Sequence, residues 1–445
     1  MKTRTLLFGL LFAGSLSLLA ENPTDKPAKW NLKACIEYAH KNNIQVQKAK
    51  ISTLESEVTL KQSKEALFPS VSASSSFNFS NGKIKADSAS NQYVNNASFG
   101  SKYTISAGMV LFNGLKNYNT IRQNELLKKA SDLSTKETEN NIEIAITEAY
   151  LEILYAHETL EMAKRTVETS KAQVALSQNL LHAGSIAKAD FSQVESQYSS
   201  DLYAEVTAQN NYDTQKLTLK QLLELDMLDE PEIIFPEIKE SDVLAPLPSK
   251  TEIYQTALTV MPQIQNSELS VQLAEYDLKN AKSSYYPTLS LNAGLSTNHD
   301  VDVSESFGNQ LNHNFYQSVG LSLSIPIYSN GSTRASVQKA RLGIQSAKLD
   351  YTSAQKELLK TVESLYQDAI SMQSKYNAAK EQLKSAGESY SLTEEQFRLG
   401  MKNTVELLTQ KDNYLQAEQT ALQAKYGAVL SQKLLNFYQN IPIEL

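Results

Sequence analysis

The sequence predicts a mainly α-helical chain with a small β part, in which a unit of helix, strand, strand, long helix and return helix occurs twice. Three observations carry that prediction. The segment 318–331 alternates: Val319, Leu321, Leu323, Ile325 and Ile327 stand against Ser318, Gly320, Ser322 and Ser324. Period-two alternation assigns one set to each face of a strand. The stretch from Lys116 to Leu181 holds neither proline nor glycine, and at 1.5 Å per residue a continuous helix there spans roughly 100 Å. Finally, landmarks recur. Tyr285-Tyr-Pro287 repeats Leu67-Phe-Pro69, and Tyr328-Ser-Asn-Gly331 repeats Phe112-Asn-Gly114, the mark of an internal duplication.

Residues 1–20 carry Lys2 and Arg4 and then an apolar run from Leu6 to Leu19. This reads as a secretory signal peptide cleaved after Ala20, since a run of about 14 residues is too short to span a bilayer. Without Lys2 and Arg4 the formal charge moves from −7 to −9. An acidic exported chain lacks the clustered Lys and Arg that nucleic acid demands. Cys35 is the single cysteine, which excludes an internal disulfide. Leu32-Lys-Ala-Cys35 resembles a lipidation box, but a polar segment separates it from the apolar run, so a small helix-buried thiol is expected.

The first repeat is expected over 21–225. A helix starts at Trp30 and continues to about Leu67, where Phe68-Pro69 stops it. Strands follow at about 70–80 and 102–112, separated by a polar loop over 81–99. The long helix carries a heptad seam of Ile142, Ala149, Ala156, Ala163, Ser170 and Ser177, partnered by Ile146, Ile153, Leu160, Val167, Val174 and Leu181. Gaps of three and four over six heptads make coiled-coil packing, and small residues let helices approach closely. Gly184 breaks the helix and a return helix runs from about Ala189 to Leu225. Residues 226–250, rich in proline and acid, read as a linker. The second repeat, 251–440, has strands at about 288–297 and 317–328. Its long helix is expected over about Thr333 to Phe397, in phase with the first at a distance of about 216 residues. Gly400 then opens an alanine-seamed return helix.

The alternating faces, with nothing else in the chain to cover them, fit a membrane-spanning strand with lipid on one side and water on the other. Four strands cannot close a barrel, because the smallest transmembrane barrels need about eight. An open edge in lipid costs several kcal/mol per unpaired backbone group. Three copies would supply twelve strands and close the ring without edges. The expected assembly is therefore a homotrimeric 12-stranded transmembrane β-barrel continued by an α-helical coiled-coil barrel.

Two paired motifs open the return helices: Leu181-His-Ala-Gly-Ser-Ile-Ala-Lys-Ala-Asp-Phe191 and Phe397-Arg-Leu-Gly-Met-Lys-Asn-Thr-Val-Glu-Leu-Leu408. With the Trp30 opening and the duplication, they resemble the TolC-like family of outer-membrane efflux proteins over essentially the whole mature chain. The resemblance implies a trimeric channel in the bacterial outer membrane with a periplasmic helical extension. It implies service as the exit duct of a tripartite efflux or type I secretion system, with a periplasmic adaptor and an inner-membrane pump or ABC transporter as partners, and outer-membrane lipid around the barrel. It also implies a periplasmic gate at Glu406, with Lys402, Asp190 and Phe397 as further candidates and the turns at Gly184 and Gly400 as adaptor-docking tips. Thr409 stands where the family has a second acid, and Phe397 where it often has tyrosine. Asp190 is positioned to pair with Lys402. The competing reading of Glu406 is local, since Asn403 and Glu406 have capping-box spacing.

Neither H-E-x-x-H, G-x-S-x-G nor a Gly-rich phosphate loop occurs. No enzymatic activity, cofactor, metal or catalytic residue is expected. Ser185-Ile-Ala-Lys188 satisfies S-x-x-K, as a Ser- and Lys-rich chain does by chance. His299 and His313 share one predicted loop. The alternative from another class is an exported coiled-coil stalk or adhesin without transport activity, which explains the heptads but neither the strands nor the duplication.

Overall fold

The computed structural model describes residues 26–85 and 91–445; the expected signal peptide lies outside them. The first half runs α1 (Leu32–Asn42), α2 (Ile44–Glu65), β1 (Ser70–Lys85), β2 (Tyr93–Asn113), α3 (Lys116–His182) and α4 (Lys188–Leu222). A connection bearing α5 (Glu240–Val243) leads to α6 (Lys250–Val260), α7 (Pro262–Ser283) and β3 (Thr288–Asp300). The chain ends through α8 (Phe307–His313), β4 (Tyr316–Ser324), α9 (Ser332–Arg398) and α10 (Thr404–Tyr438). The element lengths repeat: α1 and α6 have 11 residues, α2 and α7 have 22, α3 and α9 have 67, and α4 and α10 have 35.

The expected single helix from Trp30 to Leu67 is two helices. Asn43 is extended, at φ −62° and ψ 129°, and its side chain accepts the N–H groups of Gln45 and Val46. An asparagine that satisfies the first donors of a new helix ends the old one. It also donates to the Leu222 carbonyl at 3.0 Å, so the break is where α1 turns onto the end of α4. The expected 81–99 loop is largely strand: β1 continues to Lys85 and β2 starts at Tyr93, in register from Ser70↔Gly108 to Lys85↔Tyr93. Ser/Asn-rich sequence hides such a strand, because a ribbon wet on both faces needs no apolar alternation. The fourth strand stops at Ser324 rather than 328, where Pro326 cannot donate to a ladder.

The stretch expected as a linker is tied down. Trp30 and Ile233 form a parallel bridge, with Trp30 N–H donating to Glu232 at 2.8 Å and Ile234 N–H to Trp30 at 3.0 Å. The Tyr150 hydroxyl, from α3, donates to Ile234. Val243, Ile253 and Ala257 are fully buried in this girdle beside Cys35, and burial pushes the Cys35 thiol up to about 12. Above the girdle α2 packs on α3, α3 on α7 and α7 on α9; below it α4 packs on α3, α3 on α10 and α10 on α9. The heptad seam of α3 is the core of this packing: Ile146, Ile153, Ala156 and Ser177 are almost wholly inaccessible.

Among the described residues four strands form one antiparallel sheet in the order β1-β2-β3-β4, with β1 and β4 at its free edges. Register aligns the faces across all four. Val71, Ala107, Ala293 and Val319 are one row, as are Met109, Leu291 and Leu321; the adjacent row on the opposite face is Ser72, Ser106, Gly294 and Ser318. A bulge between Val110 and Phe112 puts Phe112 opposite Leu289, which returns an aromatic ring to the apolar face after Leu111. Among the described residues most of that face is uncovered: Val319, Leu321, Phe79 and Phe77 are all 64–79 % exposed.

Candidate pore entrance at the paired helix tips

At the far end of the long helices the α3–α4 and α9–α10 turns lie side by side. Each turns on a glycine in the left-handed region, Gly184 at φ +73° and Gly400 at φ +74°, a conformation that costs other residues roughly 1–2 kcal/mol. Ser185 N–H then bonds back to Leu180 at 2.8 Å and Met401 N–H to Gln396 at 2.8 Å, closing the last helical turn in the same way twice. A cleft of about 430 Å³ separates the two turns, lined by Ser185, Asp190, Phe397, Lys402, Asn403 and Glu406.

All four expected gate residues therefore border one cleft, yet their pairing differs from expectation. Asp190 does not reach Lys402. Its carboxylate accepts the Ala187 N–H at 3.2 Å, because Ala187, the N-cap of α4, has no side chain to do so. Lys402 pairs with Glu406 at 3.2 Å, with the two side chains 40 % and 44 % exposed. Such a pair is worth at most about 1 kcal/mol, so Glu406 remains available to solvent. At this tip Asn403 takes the capping duty, accepting the Glu406 N–H at 2.9 Å. Phe397 is buried, 3 % exposed, and packs the end of α9. Thr409 donates to the Val405 carbonyl at 2.8 Å and carries no charge into the cleft.

One feature above the tips is absent from the sequence reading. Lys411 of α10 is 2 % exposed and Asp201 of α4 is 7 %, and they pair at 2.6 Å. Ser170 of α3 accepts from Lys411 and donates to Asp201; Gln197 donates to the other Asp201 oxygen at 3.1 Å. In the same layer Gln173 donates to the Tyr390 hydroxyl at 2.9 Å, Tyr390 donates to Glu394 at 3.3 Å, and the Tyr390 and Tyr414 rings stack at 5.7 Å. Burial raises the carboxyl of the neighbouring Asp412. Two buried charges out of water require such complete pairing. The available signal was a lysine seven residues after Thr404 and seven before Glu418, on the buried heptad side of α10.

His313 pairs with Glu305 at 3.1 Å, while the His299 ring lies against Phe307 at 5.0 Å. Among the described residues no three His, Cys, Asp or Glu side chains are placed to hold one metal ion, and no helix is long and apolar enough to cross a membrane.

The family profile described as outer membrane efflux protein matches residues 35–224 and 253–437. The chain is 24 % identical over 441 residues to outer membrane protein TolC of Escherichia coli, covering 97 % of this chain and 85 % of that protein. It is 23 % identical over 364 residues to the alkaline protease secretion protein AprF of Pseudomonas aeruginosa, covering 81 % and 72 %. Its fold is similar to that of CusC, with a TM-score of 0.78, 17 % identity and 96 % of each chain covered. It is also similar to the Campylobacter jejuni CmeC outer membrane channel, with a TM-score of 0.74, 17 % identity and coverage of 92 % and 86 %.

Proposed function

This chain belongs to the outer membrane efflux protein family, and from that premise we propose that three copies close one channel through which cargo leaves the cell. The chain is an outer-membrane exit duct with the TolC-like fold. What supports trimeric closure is the sheet. It has one apolar face, one Ser/Asn/Gly face and two free edges, and free edges in lipid leave backbone groups unpaired at several kcal/mol each. β1 of one copy runs antiparallel to β4 of the next, so three copies give twelve strands with no edge left. The helices offer matching seams. Ile51, Leu54 and Val58 on α2 are 56–67 % exposed, and Leu342 and Leu349 on α9 are 58 % and 71 % exposed at the opposite edge of the protomer.

In that trimer the α3–α4 and α9–α10 tips surround the axis at the periplasmic end. Glu406 forms a ring of three carboxylates there and acts as the gate residue, with Lys402 as its partner. The turns at Gly184 and Gly400, exposed and glycine-led, receive a periplasmic adaptor that joins the duct to an inner-membrane pump or ABC transporter. The halves divide as 21–225 and 251–440. The direct test is electrophoresis of the membrane-extracted protein with and without heating. A band of three times the chain mass that collapses on boiling is expected; a monomer that stays soluble without detergent would remove the reading and favour a coiled-coil stalk. Crosslinking in cells, followed by identification of attached proteins, tests the adaptor: the expected product is a periplasmic protein joined at the tips and lost when the tips are blocked.

A further inference from the structure

The apolar face of the sheet is not smooth. It bears a cleft of about 410 Å³ over Ala73, Tyr103 and Leu295, and an adjoining one of about 480 Å³ over Ala107, Ala293 and Val319. The two meet at Ile105 and Leu295, which line both. Small side chains make the floor: Ala107 stands directly opposite Ala293, which stands directly opposite Val319. No charged residue lines either cleft.

Phe315 lines the first cleft, and α8, which ends just before it, is fixed in place. The Phe307 ring meets Tyr103 edge-on at 6.4 Å. The Thr297 hydroxyl donates to the Leu311 carbonyl at 2.7 Å. Gln310, 1 % exposed, accepts from Asp300 N–H at 2.9 Å and donates to the carbonyls of Asp300, Val303 and Glu305 at 2.9–3.2 Å. Tyr103 and Thr297 stand in one row of the apolar face, so α8 is held on the side of the sheet that meets lipid. Phe315, 55 % exposed, overhangs the first cleft.

We propose that this double cleft is a binding site for one acyl chain of an outer-membrane lipid, held by each protomer as a retained, structural ligand. The inference rests on the lipid-facing assignment of the apolar face made above. The cleft continues that face, so hydrocarbon is the only material that reaches it in the assembled channel. Small side chains at its base, with Tyr103 and Phe315 beside the first half, give a straight chain added contact, whereas an unfilled groove forfeits dispersion contacts along its lining. A chain held in this way exchanges more slowly than its neighbours and survives extraction.

The probe is the endogenous lipid. The channel is extracted from outer membranes in mild detergent, washed with further detergent, and weighed by native mass spectrometry. The expected spectrum shows the trimer with up to three lipid adducts. Ala293→Phe, which fills the cleft with another apolar group, should lose them while still migrating as a heat-modifiable trimer. Phe315→Ser, which removes the overhang and adds no bulk, should lose them too. A wild-type trimer bearing detergent alone overturns the proposal, as does equal lipid retention in both variants. A chain that never assembles overturns the channel reading and this site with it, whereas an assembled trimer without lipid overturns the site alone.

Discussion

The α3–α4 hairpin and the α9–α10 hairpin have the same backbone and different chemistry. Their helices match in length, 67 and 35 residues, and their turns use the same φ at Gly184 and Gly400. At equivalent positions 216 apart, however, Ser170 answers to Ala386, Asp201 to Ala417, Ala187 to Asn403, and Glu143 to Leu359. The first hairpin buries Ser170 and Asp201 where the second has alanines, and it spends its tip acid, Asp190, on its own cap. The second buries Lys411 beside its alanine seam and caps with Asn403, so that Glu406 pairs with Lys402 instead of serving its own helix start. Duplication kept the shape, because helix length and turn geometry must match around a ring. The polar differences then join the hairpins to each other, through Lys411 and Asp201, and leave the two tip acids in different surroundings.

The largest effect is expected where the hairpins are joined. Lys411→Ala leaves Asp201 buried without its cation, a loss of about 3–5 kcal/mol, read as a marked fall in the thermal midpoint of the trimer. Lys411→Met together with Asp201→Leu should recover most of it, because well-packed apolar replacements of a buried pair are commonly neutral or better. If the single and double variants fall equally, the pair does not join the hairpins.

Next come the turns. Alanine at Gly184 or Gly400 meets no atom within 4 Å, so only the left-handed backbone resists, at roughly 1–2 kcal/mol. The two substitutions should lower the midpoint equally, and a clear inequality would break the equivalence of the tips. A smaller step separates the caps. Asp190→Ala and Asn403→Ala each remove the side chain that holds an N-terminal donor, costing about 1 kcal/mol. Asp190→Asn should retain part of the effect through its side-chain oxygen.

Glu143 sharpens the contrast between α3 and α9. Burial raises its carboxyl, and His40 opposes this only in part. An acid whose folded pKa is raised favours folding while protonated. Its contribution is complete below the unfolded value of about 4.3 and is lost as pH rises through the raised folded value. Glu143→Gln should therefore raise the midpoint at pH 7 and change little at pH 4; an equal gain at both would assign the effect to packing.

How legible each feature was depends on whether its cause is local. Proline and glycine placed the ends of α3, α9 and the tips, because their backbone limits act within a residue or two. The heptad seam of α3 showed its buried side, Ile146 and Ile153 to Ser177, because coiled-coil periodicity repeats along one helix. The extension of β1 to Lys85 was hidden, since a strand outside lipid is held by ladder bonds that leave no hydrophobic trace. The break at Asn43 is held by its cap to Gln45 and Val46, which a lone asparagine in a helical run does not announce, and its bond to Leu222 lies 179 positions away. Lys411 meets Asp201 across 210 positions, and nothing in either neighbourhood points to the other. At the tips, sequence placed Asp190, Lys402 and Glu406 near one another but not their partners. Those were settled by which helix start lacked a capping side chain.

Glu406 itself should contribute little to stability, because its partner Lys402 is half exposed and exposed pairs are worth about 0–1 kcal/mol. Its effect is expected on ion passage instead. In a planar bilayer, single-channel current through the wild-type trimer should be blocked by a trivalent cation added on the helical side. Glu406→Ala should abolish that block, while Asp190→Ala, whose carboxylate is committed to the Ala187 N–H, should leave it intact. Block that persists in Glu406→Ala, or that disappears in Asp190→Ala instead, would contradict the assignment of the entrance to the second tip.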